Sequence, residues 1–266
     1  MSELAIIVCV KVVPKPEEIR VNPENNRLVR KNARSEINPP DMNALEVALQ
    51  LKDQFGGKVF ILSMGPPLFK KPLRTCLAMG ADHIYLLSDP AFGGADTLAT
   101  TYTLAKAIEK IGDASLVICG EESSDGATGQ VPPGLAEWLV FNQITMVDKI
   151  MLNAATAMVQ GTRKIRGGHE MLEVPMPAVI SVKTASNEPR FINFQIKDWA
   201  FEEEQLTVWQ KNDLDVDADM IGEPGSPTVV SGLAEAPFRE RKRIFLDGAP
   251  NDLIRQVVEI VVGVAR

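Results

Sequence analysis

Four short apolar runs, each followed by residues at helical spacing, organise the first half of the chain. The runs lie at residues 4–10, 59–63, 82–87 and 114–119, continuous and rich in Ile, Val and Leu, as buried parallel strands are. After the first run, Ala44, Leu45, Ala48, Leu49 and Leu51 recur at helical intervals until Gly56-Gly57 stops them. Pro39-Pro40 suits the entry to that helix, with Asn38 or Asp41 as the cap. Residues 73–79 form a second helix ended by Gly80, and residues 97–111 a third, capped by Asp96 or Thr97. The alternation predicts an α/β domain with a doubly wound parallel sheet and helices on both faces.

In such a sheet the loops that leave the strands meet at the carboxyl edge, where ligands bind. Here they are residues 9–11, 63–67, 88–97 and 120–131, with the helix entry at 38–41 best placed to join them. The last loop, Gly120-Glu-Glu-Ser-Ser-Asp-Gly-Ala-Thr-Gly-Gln-Val131, is small and polar and runs toward a helix at 135–139. Small residues let backbone amides close on a phosphate, and a helix N-terminus adds a favourable dipole. An ordinary strand-to-helix loop has the same composition. Neither G-x-G-x-x-G nor G-x-x-x-x-G-K-[ST] occurs, so a nucleotide site here is of another kind.

The pattern changes from Asn142, with short strands at 144–147, 150–152, 157–160, 170–174 and 178–183. Arg163, Lys164 and Arg166 beside Gly167-Gly168 mark a basic turn. Near the N-terminus, the Pro- and Asn-rich residues 11–34 read as an irregular excursion with a short hairpin at 19–21 and 28–29. Phe191, Phe194, Trp199, Phe201 and Trp209 are about a third of the aromatics, on a stretch without periodicity. They form either a contact surface or simple packing on the domain. Residues 210–250 are rich in Asp, Pro and Gly and carry the basic run Arg239-Glu-Arg-Lys-Arg243. The apolar helix expected at 251–265 has to dock, on this domain or on a partner.

The net charge of −7 and a pI near 5.1 argue against a nucleic-acid binder. No apolar run approaches the roughly 20 residues that span a bilayer, and the N-terminus lacks a basic leader, so no membrane insertion is expected. Cys9, Cys76 and Cys119 have no metal spacing and read as small buried residues of a reducing, cytoplasmic compartment. His83 and His169 sit in no triad or metal pattern, so neither a catalytic residue nor a metal site is assigned.

Seven motifs occur together and in order: Val10-Lys11-x-Val13-Pro14, Ile37-Asn-Pro-x-Asp-x-Asn-Ala-Leu-Glu46, Ser63-Met-Gly-Pro-Pro67, Ala78-Met-Gly-Ala-Asp82, Ala95-Asp-Thr97, Asp125-Gly-x-Thr-x-Gln-Val131 and Asn187-Glu-Pro-Arg190. Each is weak alone. In register they make the chain resemble the β subunit of an electron-transferring flavoprotein up to about residue 205. The resemblance implies a Rossmann-like, adenine-nucleotide α-hydrolase-like domain over 1–205, with a smaller β-rich section. Residues 206–266 would then form an extension or arm on the α subunit.

It further implies a heterodimer whose α subunit carries most of one FAD, and a second nucleotide held by this chain. Simple carriers hold AMP there, and electron-bifurcating members hold a second FAD and use NADH. Carried over by position, the pocket is Cys9, Asn38, Asp41, Ser63, Met64, Gly65, Asp96, Thr97, Gly120, Asp125, Gly126, Thr128, Gln130 and Val131. Asn38 and the backbone near Cys9 and Ser63 would read an adenine edge. Asp96 and Asp125 would accept from ribose or ribityl hydroxyls, and Thr97, Thr128 and the loop amides would donate to phosphate. Ala95-Asp-Thr97 and Asp125-Gly-x-Thr-x-Gln-Val131 are similar to the two-FAD pattern and favour FAD over AMP. Three features depart from it: Ala127 replaces an acid, Gly129 replaces an Ala, and Glu121-Glu122-Ser123-Ser124 replaces an Arg-Gln-Ala-Ile-like run.

By the same resemblance, the segment with Glu188, Arg190 and Phe194 would correspond to the family's loop for docking acyl-CoA dehydrogenases, with Phe194 in place of an anchoring Leu. The implied task is electron transfer between an acyl-CoA dehydrogenase-type flavoenzyme, as in fatty acid β-oxidation, and a quinone-linked or NADH-linked partner. The flavin would supply the chemistry and the chain its position and electrostatics. Whether this subunit counts as an enzyme, through bifurcation, stays open. Two alternatives of the same α/β class are an ATP-dependent adenylate-forming enzyme and a nucleotide-sensing module. The first wants a Ser- and Gly-rich loop after the first strand, where this chain has Lys11-Val-Val-Pro14.

Overall fold

A computed structural model describes residues 3–15, 20–21, 28–29, 35–184, 186–229 and 245–264. In chain order the regular elements are strands β1 (Ala5–Cys9), β2 (Val12–Pro14), β3 (Arg20–Val21), β4 (Leu28–Val29) and β5 (Ser35–Ile37), then helix α1 (Pro39–Phe55). β6 (Lys58–Met64), α2 (Lys70–Met79), β7 (His83–Leu87), α3 (Thr97–Ile111), β8 (Leu116–Gly120) and α4 (Val131–Leu139) follow. The later part holds β9 (Asn142–Val147), β10 (Lys149–Asn153), β11 (Met158–Ile165), β12 (Gly168–Pro175) and β13 (Ala178–Val182). It closes with the short α5 (Lys197–Ala200), β14 (Leu206–Trp209) and α6 (Pro250–Val264).

Seven strands form one parallel sheet in the order β14-β7-β6-β1-β8-β13-β9. Alternate side chains of its strands feed two cores. Ile6, Val8, Ile61 and Ile118 pack with Leu45 and Leu49 of α1 and Leu73 and Leu77 of α2. Ile7, Leu62 and Val117 pack on the other face with Tyr102 and Ile108 of α3 and Leu135 of α4. The doubly wound parallel sheet expected from the apolar runs is therefore present.

The later strands divide between two sheets. β10, β11 and β12 make a separate antiparallel sheet, whereas β9 and β13 extend the main one. β13 is buried throughout, which only a strand inside a sheet covered on both faces requires. The aromatic stretch also gives a strand to the sheet: β14 pairs with β7 in the register Leu206↔Ile84, and Trp209 stacks on Tyr85. β14 belongs to the first of two compact units, which are divided between Gly232 and Leu233. In the second, α6 exposes Ile254, Val258 and Val261. The basic run 239–243 lies outside the described residues. The hairpin near residue 20 is present as β3 and β4. No described helix is long and apolar enough to cross a membrane.

Candidate functional site

The strand order changes direction at β1. The chain leaves β1 for β6 and β7 on one side, then returns to β8 and β13 on the other. Where two such halves diverge, their loops part and leave a crevice at the carboxyl ends. Here that reversal places such a crevice at the ends of β1 and β8, where Cys9 is the register partner of Cys119. The exit of β6 lies alongside, with Cys9 opposite Leu62.

The first turn of α1 ties these exits together. Asp41, buried there, accepts the Lys11 amide at 2.7 Å and the Gly120 amide at 3.2 Å. Gly120 must be glycine, because a Cβ would sit 2.4 Å from Asp41 Oδ1 and 2.7 Å from Pro40. Asn38, fully buried, donates from Nδ2 to the Glu122 carbonyl at 2.9 Å and accepts the Ser124 amide at 3.0 Å. Both ends of its amide thus hold the 120–131 loop, so Asn38 shapes the site from beneath.

Lys11 adds a contact that the sequence did not signal. Its ammonium reaches Asp125 at 2.6 Å and Ser123 Oγ at 3.3 Å, placing a cation against the loop. The motif Val10-Lys11-x-Val13-Pro14 held the residue, but nothing local said that its side chain would cross to residues more than a hundred positions away. The loop itself turns through Ala127 (φ 47°) and Gly129 (φ 62°). Left-handed residues set among others make an amide-lined concavity for anions. Gly129 takes that backbone without the penalty that a side chain would carry. Among the described residues, the amides of Thr128, Gly129 and Val131 find no acceptor. The helix start offers less than expected, because Pro132 and Pro133 remove two N–H groups from the first turn of α4. The loop amides, rather than the helix end, are the available donors.

Asp96 is held by partners on two sides. It caps α3 by taking the Leu98 and Ala99 amides at 2.9 and 3.1 Å. Its other oxygen takes the amide and hydroxyl of Thr228, and Ser226 Oγ accepts the Asp96 amide. The carboxylate therefore pins the 226–228 segment beside the site. Thr97 donates to Gln130 Oε1 at 2.7 Å, linking the start of α3 to the end of the loop. Ser63, next to last in β6, buries a hydroxyl with no partner among the described residues. Such an atom is unusual in a native interior and wants a ligand or a water. Met64 ends β6, Gly65 donates to Leu87, and a Cβ on Gly65 would strike the Phe69 ring. Gly126 donates to the Ser123 carbonyl in the loop turn.

The electrostatics follow from these contacts. Burial pushes Asp41 up to about 7, against the lowering effect of its amide and Asn38 hydrogen bonds and of the Lys11 charge. Burial also raises the Asp125 carboxyl, but hydrogen bonds and charge from Lys11 outweigh it and leave the group below its ordinary value. The same balance, with Thr228 and the α3 amides as donors, lowers Asp96. Cys119 is raised by its contact with the Cys9 sulfur and by burial, so it is a thiol and no nucleophile. All three cysteines are free and buried. A cavity of about 530 Å³ opens at the opposite end of the sheet, beside Leu4, Gly57, Ser115 and Met176, away from these loops.

The segment after β13 is anchored on α1. Asn43 and Asn187 exchange side-chain to backbone hydrogen bonds at 2.8 and 3.0 Å. Arg190 grips the buried Glu46 through Nε (2.9 Å), Nη2 (3.1 Å) and its own amide (3.0 Å). Glu188, Phe191 and Phe194 are exposed beyond that anchor, with Phe194 at 74%. Of the other aromatics, Trp199 packs against the first core and Phe201 lies under the Arg74 guanidinium, so the stretch is part surface and part packing.

Comparison with known proteins agrees with this arrangement. Residues 26–207 match the electron transfer flavoprotein domain. The chain is 42% identical over 225 residues to the electron transfer flavoprotein subunit beta of Clostridium acetobutylicum, covering 85% of each chain. It is 39% identical to protein FixA of Azotobacter vinelandii, covering 92% of this chain and 89% of the other. A third relative is the caffeyl-CoA reductase-Etf complex subunit CarD of Acetobacterium woodii, 39% identical over 85% of this chain and 86% of its own. The resemblance carried by the seven motifs therefore holds, and the chain belongs to the electron transfer flavoprotein β-subunit family.

Proposed function

We propose that this chain is the nucleotide-holding half of a heterodimeric electron carrier, with FAD at the crevice between β1 and β8. One observation carries the reading. An ammonium, Lys11, three unpartnered loop amides and the orphaned hydroxyl of Ser63 gather where the strand order reverses. That donor set suits an anionic nucleotide. Bound there, a flavin supplies the electron-accepting chemistry, and the chain supplies position, exclusion of water and charge. Lys11 would balance phosphate charge, and the amides of Thr128, Gly129 and Val131 would hold phosphate oxygens. Ser63 would donate to the nucleotide from the end of β6, while Asp96 and Thr97 would brace the wall. The Asp125-Gly-x-Thr-x-Gln-Val131 pattern favours FAD over AMP.

The other expected parties are an α subunit carrying a further FAD, an acyl-CoA dehydrogenase-type donor and a quinone- or NADH-linked partner. CarD's name, as a subunit of a caffeyl-CoA reductase-Etf complex, supports an assembly of that kind for this chain. Exposed Phe194, on a segment fixed to α1 by Arg190, is the proposed anchor on the donor. The apolar face of α6 is the proposed docking element for the α subunit. Three buried free thiols suit a reducing cytoplasm. The test is the nucleotide content of the complex co-expressed with its α subunit, for wild type and Lys11→Met. The expected result is loss of this chain's nucleotide with the α-held FAD retained. A full complement in Lys11→Met would overturn the assignment of the crevice.

A further inference from the structure

Asp41 is a carboxylate in an unusual position. It is 6% exposed, and the ammonium nearest to it is turned away onto Asp125 and Ser123. It accepts backbone amides from two different strand exits, Lys11 after β1 and Gly120 at the end of β8. These are the two exits that border the crevice. The contact with β8 is so close that any side chain at position 120 would displace it. A structural carboxylate in a helix's first turn usually caps its own helix. Asp41 instead spends both oxygens across the chain.

We propose that Asp41 is a positioning residue for the nucleotide: its ionised carboxylate, by holding the Lys11 and Gly120 amides together, sets the separation of the crevice walls, and protonation releases one wall. The inference rests on the crevice being the nucleotide site. The mechanism is a count of donors and acceptors. An ionised carboxylate accepts at both oxygens, whereas the acid carries a donor O–H at one of them, which faces an amide that is itself a donor. One of the two amides then loses its partner, and the loop that carries it relaxes.

The groups that face Asp41 decide when this happens. Lys11 is on the β1 exit, Cys119 on β8 and Cys76 on α2, and both thiols feel its charge. Asn38, at the start of its own helix, hydrogen-bonds it as a neutral group. Both thiols are pushed up, Cys76 to about 12, so they stay protonated through the neutral range. Asp41 is the group of this set that changes state near neutrality. The site would therefore tighten in mildly alkaline solution and loosen in mildly acidic solution.

The experiment measures dissociation of FAD, and separately of AMP, from the complex with its α subunit after the nucleotide of this chain is stripped. It compares wild type with Asp41→Asn across neutral pH. If only the ionised form binds well, the wild-type affinity should fall about tenfold from about pH 8 to about pH 6. Asp41→Asn should bind weakly throughout and lose that dependence. AMP titrates in its own right near pH ~6, but that contribution is common to both proteins and cancels in the comparison. Should the variant fail to fold, the wild type still decides the matter: an infrared carboxylic-acid band should grow in step with the loss of affinity. Binding that is independent of pH in the wild type, or equally dependent on it in Asp41→Asn, would overturn the positioning role while leaving the site intact. Binding of neither FAD nor AMP at any pH would overturn the site itself, and this inference with it.

Discussion

Replacing Arg190 with Ala tests how the proposed docking segment is held. Glu46 is 4% exposed, and in the variant its carboxylate would keep only the residue-190 amide and Gln50 as donors. The two guanidinium hydrogen bonds, at 2.9 and 3.1 Å, would be lost, together with the second contact from Nη2 to Asp53. Breaking a buried pair from one side costs about 3–5 kcal/mol, and Arg190 is partly solvated, so the loss should be near the lower end, about 3 kcal/mol. For a unit of this size that is roughly 6–12 °C in melting temperature. Equilibrium urea unfolding gives the free energy directly. The pH dependence supplies an independent sign. Arg190 and its neighbours hold Glu46 below its ordinary value despite burial. The pair therefore contributes stability that is present above the unfolded carboxyl's pKa and is lost as acid protonates the folded form. Arg190→Ala should shrink that acid-sensitive part, since the residue-190 amide and Gln50 remain as donors. A loss of under about 0.5 kcal/mol, the range of ordinary surface changes, would refute the reasoning.

Three other outcomes are expected. Gly120→Ala should cost about 2–4 kcal/mol and most of the nucleotide affinity, read by denaturant unfolding and nucleotide content, because its methyl would overlap Asp41 Oδ1 and Pro40. Phe194→Ala should slow reduction by the donor dehydrogenase several-fold while leaving stability within about 0.5 kcal/mol, since the ring is exposed. Asp41, raised to about 7, works on stability in the opposite sense to Glu46. The folded state holds that proton more tightly, so the contribution is full below the unfolded pKa and is lost as pH rises through about 7. Asp41→Asn should flatten this part of the stability profile, checked by unfolding at a series of pH values.

The parallel sheet was legible because each of its first four strands is a continuous apolar run, and only strands buried on both faces need that pattern. The third helix was legible to the residue, since Asp96 caps it and Gly112 ends it. β14 was not, because Leu206 to Trp209 mixes polar and aromatic residues at the sheet's border, where the pattern weakens. β9 and β13 were read as strands, yet nothing in their residues says which sheet they join; that depends on register with β8, which is tertiary. The site divides in the same way. The loop at 120–131 was visible from its composition, but the bonds that Asn38 and Asp96 make within the chain were not, because such groups take whatever backbone groups the fold leaves unpaired. Lys11 was invisible for the same reason, since its partners lie on another strand's exit.

The central claim is that a nucleotide sits at the ends of β1 and β8. The most direct measurement is a cofactor count on the complex co-expressed with the α subunit, after denaturation and chromatography. The account predicts two FAD per heterodimer, one of them held by this chain. A single FAD with no second nucleotide would contradict it.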